Sequence, residues 1–418
     1  MRKSSFVLAA AALAASSLMG ARAEEVTLQF LFPSGNNGLE AAVAEFQKRN
    51  PDIKIQYQPI PFAQMNSQVL SRLGTQDSSL DIYGVDAPRV AALVQRKFLT
   101  DFSSLKSEAL AAFGQKPVET ATIAGKMWAL PMWNSTQLLY YNKDLLKAAS
   151  VPEPSADPTK RLTWDELLDE AAKAKAAGAK WGFAYDQVDR YYQLQPLFES
   201  NGAGPGLSGP DMLTPTVGSA KWIETAAWYG KLFADGLSPR GVEPAQSPQL
   251  FASGQAAFFY GVPAHTTTFL KATELKFGLA PVPYFEGGKP VTPTDSWMIG
   301  ISPYSKHAEQ ALKFVRFITL DPEGSAIAAG AQMPANKVSF QQYAQRNTEV
   351  GGAATAPFAS ILSYELANTA VSRPHSVGYV AFEEIMNKTF SDIRNGADAA
   401  AGLAKADQAL KAAFARLQ

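Results

Sequence analysis

Hydrophobic and polar positions first alternate in "VTLQFLF", where Val26, Leu28, Phe30 and Phe32 share one face with the two-residue period of a strand. "PSGNNG" breaks the period. "LEAAVAEFQKRN" then places Leu39, Ala42, Val43 and Phe46 at i, i+3, i+4 and i+7, an amphipathic helix stopped before Pro51. Alternation returns in "IKIQYQ" through Ile53, Ile55 and Tyr57. Strand, helix and strand with short joints make a βαβ unit, which predicts a parallel sheet. "LDIYGVD" reads as the next strand, and "RVAALVQRKFL", after Pro88, as a helix. "TWDELLDEAAKAKAAG" opens with Thr163 and Glu166 at capping-box spacing and ends at Gly178. The stretches 256–261 and 276–283 and the segment "SWMIGIS" read as strands, and Ala308, Ala311, Leu312 and Val315 form a helical stripe. From Tyr379 onward the pattern predicts two helices broken near Asn395 and Gly396. The class is α/β, with no internal repeat.

Composition narrows the function. At 418 residues the chain is long enough for two domains or more. Lys+Arg and Asp+Glu number 38 each, so the basic excess of a general nucleic-acid binder is missing. Residues 1–23 carry Arg2 and Lys3, an apolar run over 6–19, and Ala21-Arg22-Ala23, the layout of a secretory signal peptide cut after Ala23. The run is too short and alanine-rich for a spanning helix. Cleavage there removes Arg2, Lys3 and Arg22 and no acid, leaving 35 basic residues against 38 acidic ones, a net charge of −3. The absence of cysteine excludes disulfides and a lipidated cysteine behind the signal. The expectation is a periplasmic protein without a membrane anchor.

Enzyme signatures are sparse. His265, His307 and His375 are scattered, with neither H-E-x-x-H nor zinc spacing, and no G-x-S-x-G or P-loop is present. No cofactor or metal is therefore expected. Gly204, Gly206 and Gly209 satisfy G-x-G-x-x-G, but Pro205 interrupts it, Pro210 follows and a helix precedes, so it reads as a loop. A glycoside hydrolase needs only two carboxylates, which Asp81 with Asp86 or Asp186 with Asp189 supply.

"GKMWALPMWNSTQLLYYNKDLL" packs Trp128, Trp133, Tyr140 and Tyr141 around Pro131 and the polar run Asn134, Ser135 and Thr136. A pyranose has an apolar C–H face and a rim of hydroxyls. Aromatic faces cover the first, and Asp, Asn and Arg hydrogen-bond the second. With "FQKRNPDIKIQY", "DIYGVDAPRVAALVQRKFLTDFSS", "TWDELLDEA" and "GLAPVPYFEGGKPVTPTDSWMIGISPYSKHAEQALKFVRFI", this stretch resembles, in order and spacing over nearly the whole chain after the signal, the family 1 extracellular solute-binding proteins. These are the maltose-binding-protein type serving sugar importers of the ATP-binding-cassette (ABC) class. The resemblance implies a two-lobed periplasmic-binding-protein fold, type II-like, with parallel-rich sheets flanked by helices and hinge crossovers between lobes. The implied lobes are 24–133 plus 294–335 and 136–291 plus 338–418, with crossovers near 131–136, 292–297 and 333–336. It also implies a monomer that binds a carbohydrate without turnover and docks on the permease transmembrane subunits.

Candidate ligand residues follow. Asp86 ends a strand, where open α/β sheets bind ligands; the family commonly holds a sugar hydroxyl there, and the competing reading is a helix N-cap. Trp133 and Asn134 lie on the first crossover, and Ser135 stands where the maltose binder carries an acidic residue. The loop with Ser34, Gly35, Asn36 and Gly38 offers backbone N–H groups at a helix start. Family spacing back from Pro196 puts Tyr192 at a stacking position and Arg190 near an acidic ligand residue's place. Arg190 there suits an anionic ligand, such as a sugar acid, sulfonate or phosphodiester, so a neutral and an anionic sugar both stay open. Tyr260 and His265 follow a strand end, Asp295 and Trp297 sit on the second crossover, and Arg373 precedes a C-terminal helix.

Overall fold

A computed structural model describes residues 25–417 except Asn36 and Ser296. The signal peptide expected over 1–23 lies outside the described residues.

Two larger sheets, of five and four strands, frame the described residues. In the first, Val26–Pro33 lies between Ile53–Ile60 and Ile82–Asp86, all parallel, as the βαβ pattern predicts. Trp297–Ile301 then pairs antiparallel with Ile82–Asp86, and Leu130–Pro131 closes the edge. The second sheet has the order Phe277–Ala280, Leu138–Asn142, Ala256–Gly261, Trp181–Tyr185. Only the last two strands pair parallel; the other neighbours are antiparallel.

The helices that alternation predicted form for local reasons. Asn37–Arg49 covers the first sheet with Leu39, Ala42, Val43 and Phe46 buried. Trp164–Ala176 has the full capping box, Thr163 accepting from Glu166 N while the Glu166 carboxylate accepts from Thr163 N. The two C-terminal helices are Tyr379–Arg394 and Ala399–Phe414. The helix expected after Pro88 is short: a 3-10 turn Ala87–Arg89, then Val90–Gln95, because Lys97 takes φ +59 and turns the chain. The predicted strand over 276–283 is confined to Phe277–Ala280. Gly204, Gly206 and Gly209 all take positive φ in irregular backbone after helix Tyr191–Ser200, as the loop reading requires. Among the described residues no helix is long and apolar enough to cross a membrane.

Three buried clusters follow this division. One gathers Leu28 to Trp133 with Met298 to Ala335 around the first sheet. The others cover opposite faces of the second sheet: Leu139 and Tyr141 join one, Leu138 and Tyr140 the other. The chain passes between the halves where these clusters change over. Met132 and Trp133 both donate backbone N–H to Trp297 O at 3.1 Å, and Asn134 N donates to Met333 O at 2.8 Å. Thr292–Pro293 pairs parallel with Ala370–Val371.

Candidate functional site

A cavity of about 320 Å³ opens beside these crossing segments. Ser34, Asp86, Trp133, Arg190, Tyr192, His265, Asp295, Trp297 and Arg373, nine of the sequence-derived candidates, line it together. They come from strand ends and the turns after them. Asp86 and Trp297 are register partners at the adjoining ends of two antiparallel strands. His265 closes the 3-10 turn after strand Ala256–Gly261, and Arg190 and Tyr192 lie at the start of helix Tyr191–Ser200. A strand end frees side chains from the pleat while the sheet fixes their Cα atoms, so a pocket here is both open and stiff.

The apolar part of the wall is a packed aromatic group. The Phe32 ring sits 5.1 Å from Trp133, edge-on, and 5.4 Å from Trp297. Tyr192 faces them from the other half and touches Ser135 Oγ through its hydroxyl. Burial pushes the Tyr192 hydroxyl up to about 12, so it is neutral at any ordinary pH.

The charged part is a network. Arg373 donates Nη1–H to Asp86 Oδ2 at 3.0 Å and Nη2–H to Asp86 Oδ1 at 2.6 Å. It donates Nε–H and Nη2–H to Asp295 Oδ1 at 3.1 and 2.8 Å, and its backbone N–H to Asp295 Oδ2 at 2.9 Å. Glu383 lies 3.8 Å away and accepts from Arg89 Nη2 at 2.6 Å. Burial, with Asp86 alongside, raises the Asp295 carboxyl to about 6, while Arg373 pulls it the other way. Burial opposes the charge on Arg373, but Asp86 and Asp295 outweigh it and hold the guanidinium protonated. Asp295 also takes φ +59, a backbone cost that its packing must hold in place. On the far wall His265 Nε2 lies 3.0 Å from Asp186 Oδ1, but not in line for a hydrogen bond.

Two candidates fall elsewhere, and a third lies outside the described residues. Tyr260 is fully buried, its ring 5.6 Å from Trp164 and 5.9 Å from Tyr185. Its strand is covered on both faces, and its parity turns it into the core rather than toward the cavity. Asn134 points to the opposite side of the crossovers. There its Oδ1 accepts from Thr294 Oγ1 at 2.8 Å, and it lines a second, more apolar space of about 420 Å³. That space also carries hydroxyls and the charges of Lys116, Lys337 and Asp295. The smaller cavity gathers more acidic side chains, Asp86, Asp186, Asp295 and Glu383, beside Trp133, Trp297 and Tyr192, and is the better candidate for a hydroxyl-bearing ligand. Asn36 lies outside the described residues. The N-cap alternative for Asp86 does not hold: its side chain makes no capping bond and serves Arg373 instead.

Sequence reasoning passed over Asp186 and Gln187 as ligand residues, and Glu383 altogether. Asp186 directly follows strand Trp181–Tyr185, so the strand-end rule that selected Asp86 would have found it. Glu383 sits within a helix, and nothing local distinguishes it from a solvated glutamate. Each of the two carboxylate pairs considered for hydrolysis has one member on the cavity wall, Asp86 or Asp186, and one that does not line it. Asp81 lies off the cavity, accepting from Gln29 N at 2.8 Å and from Ser305 Oγ, and Asp189 accepts from Arg394 at 3.0 Å.

Comparison with known proteins agrees with the geometry. The model of the family described as "Bacterial extracellular solute-binding protein" matches residues 32–324. The chain is 27% identical to the maltodextrin-binding protein MdxE of Bacillus subtilis over 325 residues, covering 75% of this chain and 74% of that protein. It is 25% identical to the galactooligosaccharide-binding protein of the same organism, over 68% of this chain and 66% of that protein. The ABC substrate-binding protein Lmo0181 of Listeria monocytogenes, solved with cycloalternan, superposes with a TM-score of 0.81 at 20% identity. That superposition covers 94% of this chain and 100% of Lmo0181, and it shows a shared two-lobed fold.

Proposed function

Because this chain belongs to the bacterial extracellular solute-binding proteins, we propose that it captures a carbohydrate in the cavity between its two halves and delivers it to an ABC importer. Two relatives named for maltodextrin and galactooligosaccharide binding support a saccharide ligand. The observation that carries the reading is the convergence of Trp133, Trp297 and Tyr192 with Asp86, Asp186 and Ser135 on one cavity. That wall offers flat apolar faces to C–H groups and fixed acceptors to hydroxyls.

The halves are taken as lobes 24–133 plus 294–335 and 136–291 plus 338–418. The core clusters and the sheet membership support these bounds. Ligand bound to both lobes favours closure by its differential affinity for the closed form, and the closed form docks on the permease. The protein acts as a monomer in the periplasm after cleavage behind Ala23, and it returns its ligand chemically unchanged. Asp81 and Asp189, bound by Ser305 and Arg394 and not part of the cavity wall, argue against either pair acting as a glycosidase.

The test is a thermal-shift screen with glucose, maltose, maltotriose, galactobiose, glucuronate and glycerol 3-phosphate, followed by calorimetry and product analysis. A stabilising neutral sugar recovered intact supports the reading. Stabilisation by the anions alone would move the function to the anionic class, and loss of the bound sugar to hydrolysis would make the protein an enzyme.

A further inference from the structure

The geometry points to Arg373 as a positioning residue that shapes the cleft through Asp86, Asp295 and Tyr192, and not as a contact to the ligand. The inference rests on reading the cavity as the ligand cleft. A guanidinium carries five N–H donors. The Nε–H goes to Asp295. One Nη2–H goes to Asp295 and the other to Asp86. The Nη1 group serves Asp86 and, at 3.5 Å, the Tyr379 hydroxyl. Every donor thus has a protein acceptor, and the residue is 6% exposed although it lines the cavity. A ligand anion could engage Arg373 only by displacing a carboxylate that is itself buried.

What Arg373 holds is what a sugar would meet. Asp86 ends a strand of the first sheet, Asp295 belongs to the second crossing segment, and Arg373 follows the strand paired with that segment. The fork therefore ties three separate pieces of chain at the hinge and fixes the rotamers of both carboxylates. The Tyr192 ring lies over the guanidinium, 5.1 Å from centroid to carbon, and Tyr379 lies on it at 5.8 Å. Glu383, bound to Tyr379 Oη at 3.0 Å and to Arg89, braces the same group from the C-terminal helix. His375, two residues on, is held near 4 by burial and then by Arg373 itself, so it brings no competing charge at neutral pH.

The experiment uses the full chain and two substitutions, Arg373→Gln and Arg373→Lys. The probes are maltotriose as a neutral sugar and glucuronate as an anionic one, with the Asp295 carboxyl followed by carbon-13 NMR. Arg373→Gln should lower maltotriose affinity by about 30-fold or more at unchanged far-UV circular dichroism, because an unbraced buried carboxylate pair rearranges. Arg373→Lys, which keeps the charge without the fork, should recover part of that loss. The Asp295 midpoint should rise above about 6 in the Gln variant, since Arg373 is the group that lowers it. Full affinity with an unmoved Asp295 midpoint overturns the proposal. So does a glucuronate affinity that vanishes in Arg373→Gln while maltotriose binding persists. If the parent binds neither sugar, the neutral sugar that stabilises it in the thermal-shift screen replaces maltotriose; if none does, the carbohydrate reading fails, and the Asp295 titration alone decides whether Arg373 is the clamp. If the Gln variant does not fold, the Lys variant is read by the same two measures.

Discussion

Raising the pH from 4 to 7 should weaken the folded protein relative to its Asp295→Asn variant. The Asp295 carboxyl is raised from 3.8 to about 6 on folding. In that window the folded chain binds more protons than the unfolded chain, so this residue's contribution to stability falls as pH rises, then stays level above about 6. The difference of about two pH units is worth about 3 kcal/mol at most, at roughly 1.4 kcal/mol per unit. Asparagine is the fitting replacement because it removes the titration, keeps the shape and tolerates the φ of +59 at this position. It takes one acceptor charge from Arg373, which adds an offset of its own. The pH-dependent part remains readable in the difference between variant and parent. Urea unfolding of both chains at intervals from pH 4 to 7.5 gives that difference. It should rise by about 2–3 kcal/mol in favour of the variant as pH increases. A difference flat to within about 0.5 kcal/mol would refute the reasoning, since it would mean that burial at the hinge does not oppose ionisation.

Three further outcomes are expected. Glu365→Gln should cost about 3–5 kcal/mol in urea unfolding, because it strands a buried guanidinium; Arg161 and Glu365 are 3% and 0% exposed and 2.8 Å apart. Replacing both, as Arg161→Met with Glu365→Leu, should restore most of the loss. Trp297→Ala should weaken maltotriose binding about tenfold by calorimetry, for roughly 60 Å² of sugar C–H surface at about 25 cal/mol per Å²; unchanged affinity would remove Trp297 from the site. Thr163→Ala should lower stability by about 1 kcal/mol through loss of the capping box, with no change in binding.

The periodicities decided much of the architecture unaided. The alternation from Val26 to Phe32 and the stripe from Leu39 to Phe46 specify a strand and a helix whatever surrounds them, because one face of each must be covered. Position at a strand end was equally legible. It brought Asp86 and His265 to the cavity by local rule, and it would have brought Asp186. Family spacing added Tyr192 and Trp297. The aromatic cluster in "GKMWALPMWNSTQLLYYNKDLL" shows where that legibility stops. Trp133 reaches the cavity, Trp128 packs against the first core, and Tyr140 and Tyr141 enter opposite faces of the second sheet. Composition alone cannot sort them, because a strand buried on both faces carries no polar alternation to mark a side. Tyr260 fails for the same reason. Arg373 needed the tertiary structure outright. Its role depends on Asp86, 287 positions away, and Asp295, 78 positions away, converging on one guanidinium. A buried charge is defined by its partners, and those partners meet only when the crossing segments lie side by side.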